Sequence, residues 1–408
     1  MNVASVLTRD TERMVCTACE TVVPLARVAS VCPECGGILD WVAGERPPQT
    51  PGEGIWRHAD ILPTCAPEHR VTLGEGNGPL LPAPRLGDAL GLSDLWVKNE
   101  SLHPSGSFKD LGVAVAVSLA KAHGLPGAVL SSSGNAGASA AAYCARAGLP
   151  LTVLVPATAP PAKLRQIAIA GARLVTVDGA TDDCCRLATE LSAADGLANL
   201  TTTFHNPYGI DGYATISDEV AHLAPDVVLL PISSGPLLAG MMKGFARLLA
   251  AGRIDRMPRP VAVQPEACAP ITRAFQRGGA IEPWRHRQTI AGALNDTLAG
   301  YERDGDRTLS FIRKHDGAAV AVTDEAIVDA QHLAARTEGL VLEPSAAVPF
   351  AAVEAVRNAL GLSGGERILA VVTGHGLKDL STVAATNLPD PIRPRMTDLR
   401  EHLAQPRP

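Results

Sequence analysis

Short apolar runs rich in β-branched residues alternate with helical stretches through the middle of the chain, and that rhythm limits the fold more than any other feature. "LWVKNE", "GAVLSS", "LTVLVPA", "RLVTVDG", "DVVLLPIS" and "RILAVVTG" read as strands. "GASAAAYCARAG" and "PAKLRQIAIAGA" read as the helices between them, the first with a glycine at its end. Strands separated by helices of about ten to fifteen residues predict parallel sheets covered on both faces, an α/β fold. Aromatic residues make up only 3% of the chain, so alanine, glycine and valine must fill the interior and backbones must approach closely. Folds of this kind bind ligands beyond the carboxyl ends of their strands.

Three such strand ends are rich in serine, glycine, asparagine or threonine: Ser131–Gly137, Ser233–Gly235 and Thr373–Gly376. Free N–H groups at a helix start, joined by hydroxyls, can seat an anion such as phosphate, although each loop alone is also an ordinary cap and turn. Neither nucleotide fingerprint is present: there is no GxxxxGK[ST], and no strand-linked GxGxxG followed by a suitable acid. "LHPSGSFKDLG" instead aims a single lysine, Lys109, out of a tight turn into an apolar stretch that is uncharged from Leu111 to Ala120. Desolvation makes a lysine amine nucleophilic towards aldehydes. An aldehyde, a phosphate for a helix start and a ring to be oriented together describe pyridoxal phosphate.

Four of the nine cysteines, Cys16, Cys19, Cys32 and Cys35, follow a CxxC–x12–CxxC pattern. Two thiolate pairs on short knuckles can close a tetrahedral structural zinc site, with redox pairs or a metal-free relic as the other readings. Residues 1–45 hold three arginines, no lysine and six carboxylates, a poor balance for binding DNA. Cys65, Cys144, Cys184, Cys185 and Cys268 lack any partner spacing and read as buried thiols. A net charge of -6 and a pI near 6.0 argue against a nucleic-acid surface. The N-terminal stretch lacks the apolar core of a secretory signal, and the longest uncharged runs are broken by Ser, Gly, Asn or Pro, so neither a membrane partner nor a span is expected and the expected location is cytoplasmic.

"HPSGSFKDLG", "SSSGNAGASAAAYCARAG", "NPYGIDGYATISDEV", "SSGPLLAGMMKGF", "GLVLEPSAAV" and "TGHGLKD" occur in the order found in threonine synthases, and "LGEGNGPLL" before them is similar as well. The resemblance covers roughly Leu73 to Asp379 and extends to the fold-type II pyridoxal-phosphate enzymes as a class. It implies two three-layer α/β domains with parallel-rich sheets, plus the small zinc ribbon. The expected division is residues 1–45 for the ribbon, 46–95 with 206–390 for a large cofactor-binding domain, 96–205 for a small domain, and 391–408 for a tail. The resemblance makes Lys109 the Schiff-base lysine and the acid and base for substrate protons. It implies that Asn135 bonds the cofactor's ring oxygen, that Ser233, Ser234, Gly235 and Leu237 cradle its phosphate, and that Thr373 faces the pyridine nitrogen. Ser132, Ser133, Gly134 and Ala136 would hold the substrate's α-carboxylate. An amino-acid substrate and a homodimer are implied too.

The departures from the pattern concentrate near the substrate. Pro236 takes a glycine's place in the phosphate loop and brings no N–H. Gly78 and Ala136 stand where threonines are common, and Leu111 and Gly209 where arginines are. Losing an arginine–phosphate fork removes roughly 1.5–3 kcal/mol of charge-assisted contact, which Lys98, Lys163 or Arg165 would have to supply. Two enzymatic readings follow. One is threonine synthesis from O-phosphohomoserine. The other is β- or γ-replacement or elimination on a different amino acid, of the cysteate synthase, dehydratase or ammonia-lyase kind or in specialised biosynthesis. A zinc-ribbon sensor or binding module is the non-enzymatic reading, opposed by Lys109, Asn135 and Thr373 together. No GxSxG elbow supports a serine hydrolase and His375 has no triad partner. His103 reads as structural or solvated, and His205 is expected at the mouth of the site.

Overall fold

The computed structural model describes residues 12–25, 29–44, 46–159, 161–201, 203–285, 288–383 and 391–404. At the N-terminal end, strands β1 (Arg13–Cys16), β2 (Val22–Pro24) and β3 (Leu39–Val42) form an antiparallel sheet in the order β2-β1-β3. The chain continues through β4 (Leu80–Pro82), α1 (Pro84–Leu90), β5 (Asp94–Asn99) and α2 (Lys109–Ala122). Next come β6 (Ala128–Ser131), α3 (Asn135–Ala147), β7 (Leu151–Pro156), α4 (Pro161–Ala168), β8 (Arg173–Val177), α5 (Thr181–Asp195) and β9 (Ala198–Asn199). The remainder runs α6 (Pro207–Val220), β10 (Val227–Pro231), α7 (Pro236–Ala250), β11 (Arg259–Pro265), α8 (Pro270–Arg277), α9 (Glu302–Lys314) and β12 (Ala318–Val322). It ends with α10 (Asp324–Glu338), α11 (Pro344–Ala351), α12 (Val353–Leu360), β13 (Arg367–Val372) and, in the tail, the short helix α13 (Met396–Leu403).

The body holds two sheets. The smaller, β8-β7-β6-β9, is parallel throughout; the larger, β12-β11-β10-β13-β5-β4, is parallel except for β4 at its edge. Each reverses its strand order once. In the larger sheet the chain steps outward from β10 to β11 and β12, while β13 and β5 lie on the other side of β10. In the smaller it steps from β6 to β7 and β8, with β9 on the other side of β6. Such reversals leave a crevice at the carboxyl ends of the diverging strands. The crevice strands are β10 and β13 in one sheet and β6 in the other, and they end in the three loops singled out in the sequence.

The interior is built from small residues, as the low aromatic content requires. Helices α2 and α6 meet so closely that a Cβ on Gly112 would lie 2.8 Å from the Tyr213 ring, and one on Gly212 would lie 2.5 Å from the Leu111 carbonyl oxygen. Leu111 is buried in this interface rather than facing a ligand. The N-terminal ribbon docks on the body: Met14, Leu39 and Trp41 belong to the same apolar cluster as α2, α6 and α7. Arg307 of α9 pairs with Asp40, and Arg303 donates to the Cys35 carbonyl at 3.2 Å. The expected division at residues 95 and 96 falls inside β5, which pairs with β13 from Asp94 to Asn99, so β5 belongs wholly to the larger sheet. No described helix is long and apolar enough to cross a membrane.

Candidate active site

Lys109 opens α2 from a turn that is strapped to the end of β13. Phe108 N–H donates to the Thr373 carbonyl at 3.1 Å, His375 N–H to the Gly106 carbonyl at 3.0 Å, and Ser107 bridges Gly374. The turn is also tied to the smaller sheet. Buried Asp110 accepts from Ser105 N–H at 2.7 Å, from Ser105 Oγ at 2.5 Å, and from Ser139 Oγ of α3 at 2.6 Å. Lys109 is thereby fixed between the two crevices. Its Nζ lies 4.6 Å from the centre of the Phe108 ring. Burial lowers the amine to about 8, against the charges of Asp296 and Glu343, which favour the ammonium form.

A cleft of about 670 Å³ surrounds the lysine. Ser132, Ser133, Gly134, Asn135 and Ala136 line it from the start of α3, Ser233, Ser234, Gly235 and Leu237 from the start of α7, and Thr373 from the end of β13. Every cofactor- and substrate-contacting position named from the sequence therefore falls in one cleft. Gly235 has φ +108, and a Cβ there would lie 2.1 Å from Thr308 Oγ1, so the loop before α7 requires glycine. Thr308 donates to the Ser234 carbonyl at 2.6 Å and fixes the loop from behind. Pro236 occupies the first turn of α7, where a helix has no use for that N–H.

Among the lining residues that sequence reasoning did not assign to the site are Cys185, Asp296, Tyr301 and Glu343. Glu343 is buried and its Oε1 accepts from Asn135 Nδ2 at 2.8 Å. Asp296 Oδ1 accepts from the Tyr301 hydroxyl at 2.7 Å and from Leu298 N–H at 3.1 Å. Cys185, expected to be a buried thiol, is half-buried against the cleft, while Cys65, Cys144, Cys184 and Cys268 are buried. Burial pushes the Cys185 thiol up to about 11, so it stays protonated at neutral pH.

Two of the three substitutes suggested for the missing arginine, Lys98 and Arg165, do not line the cleft. Lys98 is fully buried in an ion-pair cluster with Glu100 at 2.9 Å and Glu219 at 2.5 Å. Arg165 is exposed and absent from the cleft wall, and the Lys163 side chain lies outside the described residues. The departures are also packed in place. A Cβ on Gly78 would lie 2.6 Å from Glu100 Oε1, and one on Gly209 would lie 3.0 Å from the Gly112 carbonyl. His103 is structural, paired with Glu100 at 2.6 Å. His375 Nδ1 accepts from Leu377 N–H at 3.1 Å and only caps a turn. His205, which precedes α6, is half-buried and does not line the cleft, contrary to expectation.

The four ribbon cysteines converge independently of this cleft. All four Sγ atoms lie within 4.8 Å of one another, with separations of 3.3, 3.5 and 3.6 Å among them. Four sulfurs at about 2.3 Å from a tetrahedral zinc stand about 3.8 Å apart, so the set fits that ion.

Comparison with known proteins agrees with the geometry. The sequence model of the family described as "Pyridoxal-phosphate dependent enzyme" matches residues 71–374. Threonine synthase of Methanocaldococcus jannaschii is 34% identical over 379 residues, spanning 89% of this chain and 92% of that protein. The chain belongs to the threonine synthase family of pyridoxal-phosphate-dependent enzymes. Threonine synthase of Mycobacterium leprae is 35% identical over 80% of this chain and 89% of its own length. Among solved structures, the processed form of threonine deaminase isoform 2 from Solanum lycopersicum superimposes with a TM-score of 0.64 at 23% identity, covering 84% of this chain and 96% of that one. Maize serine racemase superimposes with a TM-score of 0.64 at 22% identity, over 80% and 93% of the two chains. Both share the fold. Membership of the family makes the chain a lyase of the threonine synthase type, and the sensor reading falls away.

Proposed function

We propose that the cleft binds pyridoxal phosphate through Lys109 and eliminates a leaving group from the side chain of an L-amino acid. The observation that carries this reading is the desolvated amine of Lys109, held between two anion-seating helix starts at the switch points of both sheets. The cofactor, when bound, supplies an electron sink for the substrate's Cα. Ser233, Ser234, Gly235 and Leu237 seat its phosphate at the start of α7. Asn135, oriented by Glu343 through one amide hydrogen, offers the other to the ring oxygen. Thr373 presents a neutral hydroxyl to the ring nitrogen, which leaves that nitrogen less positive than a carboxylate would. Ser132, Ser133, Gly134 and Ala136 hold the α-carboxylate at the start of α3. Lys109, neutral once released, takes the Cα proton and returns it during the following steps.

O-phosphohomoserine, converted to threonine with loss of phosphate and gain of water, is the first substrate to test because the threonine synthase likeness spans nine-tenths of the chain. The cleft favours a second reading, in which the leaving group is not phosphate. Among the described lining residues the cations are Lys109 and Lys378, and no arginine is present. O-phosphohomoserine, O-phosphoserine, homoserine and threonine should be compared side by side for release of phosphate and ammonia. Turnover of O-phosphohomoserine to threonine supports the first reading, turnover of another amino acid alone supports the second, and failure of every amino acid to react rejects both. A homodimer, as in the family resemblance, is the expected assembly in light scattering.

We also propose that the four cysteines hold structural zinc. Cys16→Ser, or treatment with a strong chelator, is expected to release one zinc per chain and lower Tm by several degrees, because metal binding and ribbon folding are linked. The yellow colour from bound cofactor should persist, since none of the described ribbon residues lines the cleft. Metal analysis that finds no zinc in the freshly purified protein would reject the assignment.

A further inference from the structure

The cysteine ribbon reaches the walls of the cleft through three elements of the body. Gly37 passes so close to the cysteines that a Cβ there would lie 2.9 Å from Cys16 Sγ and 3.1 Å from Cys35 Sγ. The next carbonyl, that of Ile38, accepts from Thr17 N–H at 2.9 Å. The Ile38 side chain leaves this knuckle and is buried against Phe204, Ile210 of α6, Ala239 of α7 and Phe311 of α9. Phe204 follows Thr203, a lining residue, and its N–H is held by Asp304 of α9 at 3.1 Å. Ala239 lies about one turn beyond Pro236, which lines the cleft at the start of α7. Helix α9 is the third route. Its Arg303 and Arg307 hold the Cys35 carbonyl and Asp40 of β3, and its Thr308 holds the Ser234 carbonyl of the lining loop. Strands of four, three and four residues give the ribbon too little core to keep its shape alone, so its grip is as firm as its metal site.

We infer that Ile38, Arg303 and Arg307 are positioning residues for the cofactor seat, so that zinc in the four-cysteine site tightens binding of pyridoxal phosphate at the Ser233–Leu237 loop. This rests on the proposed cofactor and zinc readings and joins them. The ribbon is the two-state element: folded against α7 and α9 with its metal, loosened without it. Loosening frees Arg303 and Arg307, and α9 gains room to shift. Thr308 then loses the fixed position from which it holds the Ser234 carbonyl, and the loop loses its brace. None of the described ribbon residues lines the cleft, so affinity falls while the colour of the saturated protein remains. Coupling between two sites is reciprocal, so bound cofactor raises the affinity for zinc by the same factor.

The test is an absorbance titration of the cofactor-free protein with pyridoxal phosphate, once with zinc bound and once after its removal by EDTA and dialysis, with melting curves to check that both forms are folded. Zinc removal is expected to weaken cofactor binding by about fivefold to tenfold, the low end for coupled sites. Competition with a colorimetric chelator should show zinc held more tightly, by the same factor, when cofactor is bound. The double variant Arg303→Ala/Arg307→Ala should keep its zinc yet bind cofactor more weakly than wild type, and zinc removal should then weaken it by a smaller factor. Arg307→Lys, which retains a charge for Asp40, should stay close to wild type. Equal cofactor affinity with and without zinc in the wild type, or a double variant that binds cofactor as wild type does, overturns the inference. If zinc removal unfolds the chain, the zinc-loaded double variant decides alone. A wild type that develops no absorbance with cofactor, or that holds no zinc as purified, defeats the corresponding earlier reading and takes this inference with it. That outcome is distinct from finding both groups bound and uncoupled.

Discussion

Replacing Lys109 by alanine is expected to leave a folded protein that stays colourless with pyridoxal phosphate and loses turnover by roughly 10²–10⁴-fold or more, the range for removing a catalytic acid–base group. Folding should not suffer. Burial holds the amine at about 8 instead of the ordinary 10.5, so below pH 8 the native state carries an ammonium that its surroundings disfavour. A lowered lysine pKa means that the unfolded chain binds the extra proton between these values, and this residue therefore adds stability as pH rises from about 8 to 10.5. Alanine removes the penalty, so the cofactor-free variant should melt no lower than cofactor-free wild type at pH 7, and any advantage should shrink above pH 8. The same titration governs loading of the wild type. Only the neutral amine attacks an aldehyde, so the rate of colour development should climb with pH and level off above about 8. A Lys109→Ala protein that turns yellow with the same spectrum and saturation as wild type would place the cofactor on another residue.

What could be read from the sequence was local, and what could not was assembled across distance. The six strands that were recognised, β5, β6, β7, β8, β10 and β13, each carry β-branched residues between turn signals. β11 and β12 complete the larger sheet but are written "RPVAVQP", with proline near both ends, and "AAVAV", where alanine weakens the strand signal. The loops of the cleft were legible because a run of small and hydroxyl residues between a strand end and a helix start is encoded within a few residues. Its carboxylate wall was not. Glu343 lies in a motif that was noticed, but only the approach of Asn135, 208 positions away, shows that its side chain turns inward. Asp296 sits in a loop with no periodicity, and its relation to Lys109 comes from packing. Lys98 misled for the same reason. Its partner Glu219 is 121 positions distant, and without that pairing a lone lysine before the active turn reads as an available charge.

Gly235→Ala is the substitution expected to do most harm without touching a reacting group. At φ +108 and ψ 13 the residue lies where an L side chain is strained, which costs about 1–3 kcal/mol. The added methyl would stand 2.1 Å from Thr308 Oγ1 and 2.6 Å from its Cγ2. Thr308 cannot yield easily: it is fully buried, and its hydroxyl is engaged by the carbonyls of Ser234 and Asp304. Overpacking of this kind adds about 1–3 kcal/mol more. The loop can relieve both by moving off α9, and that displaces the N–H groups and serine hydroxyls that would meet the cofactor phosphate. Cofactor affinity should fall by about 30-fold to 1,000-fold, corresponding to about 2–4 kcal/mol, with a smaller loss of Tm. Thr308→Ala in the same chain removes the clash but not the backbone strain, so it should restore part of the affinity, whereas Thr308→Ala alone should weaken it by loosening the Ser234 carbonyl. Helix α9 also carries Arg303 and Arg307, which grip the cysteine ribbon, so the brace behind the Ser233–Gly235 loop is held from its other side by the four-cysteine module. Unchanged cofactor affinity in Gly235→Ala, measured by absorbance titration, would mean that the phosphate sits elsewhere.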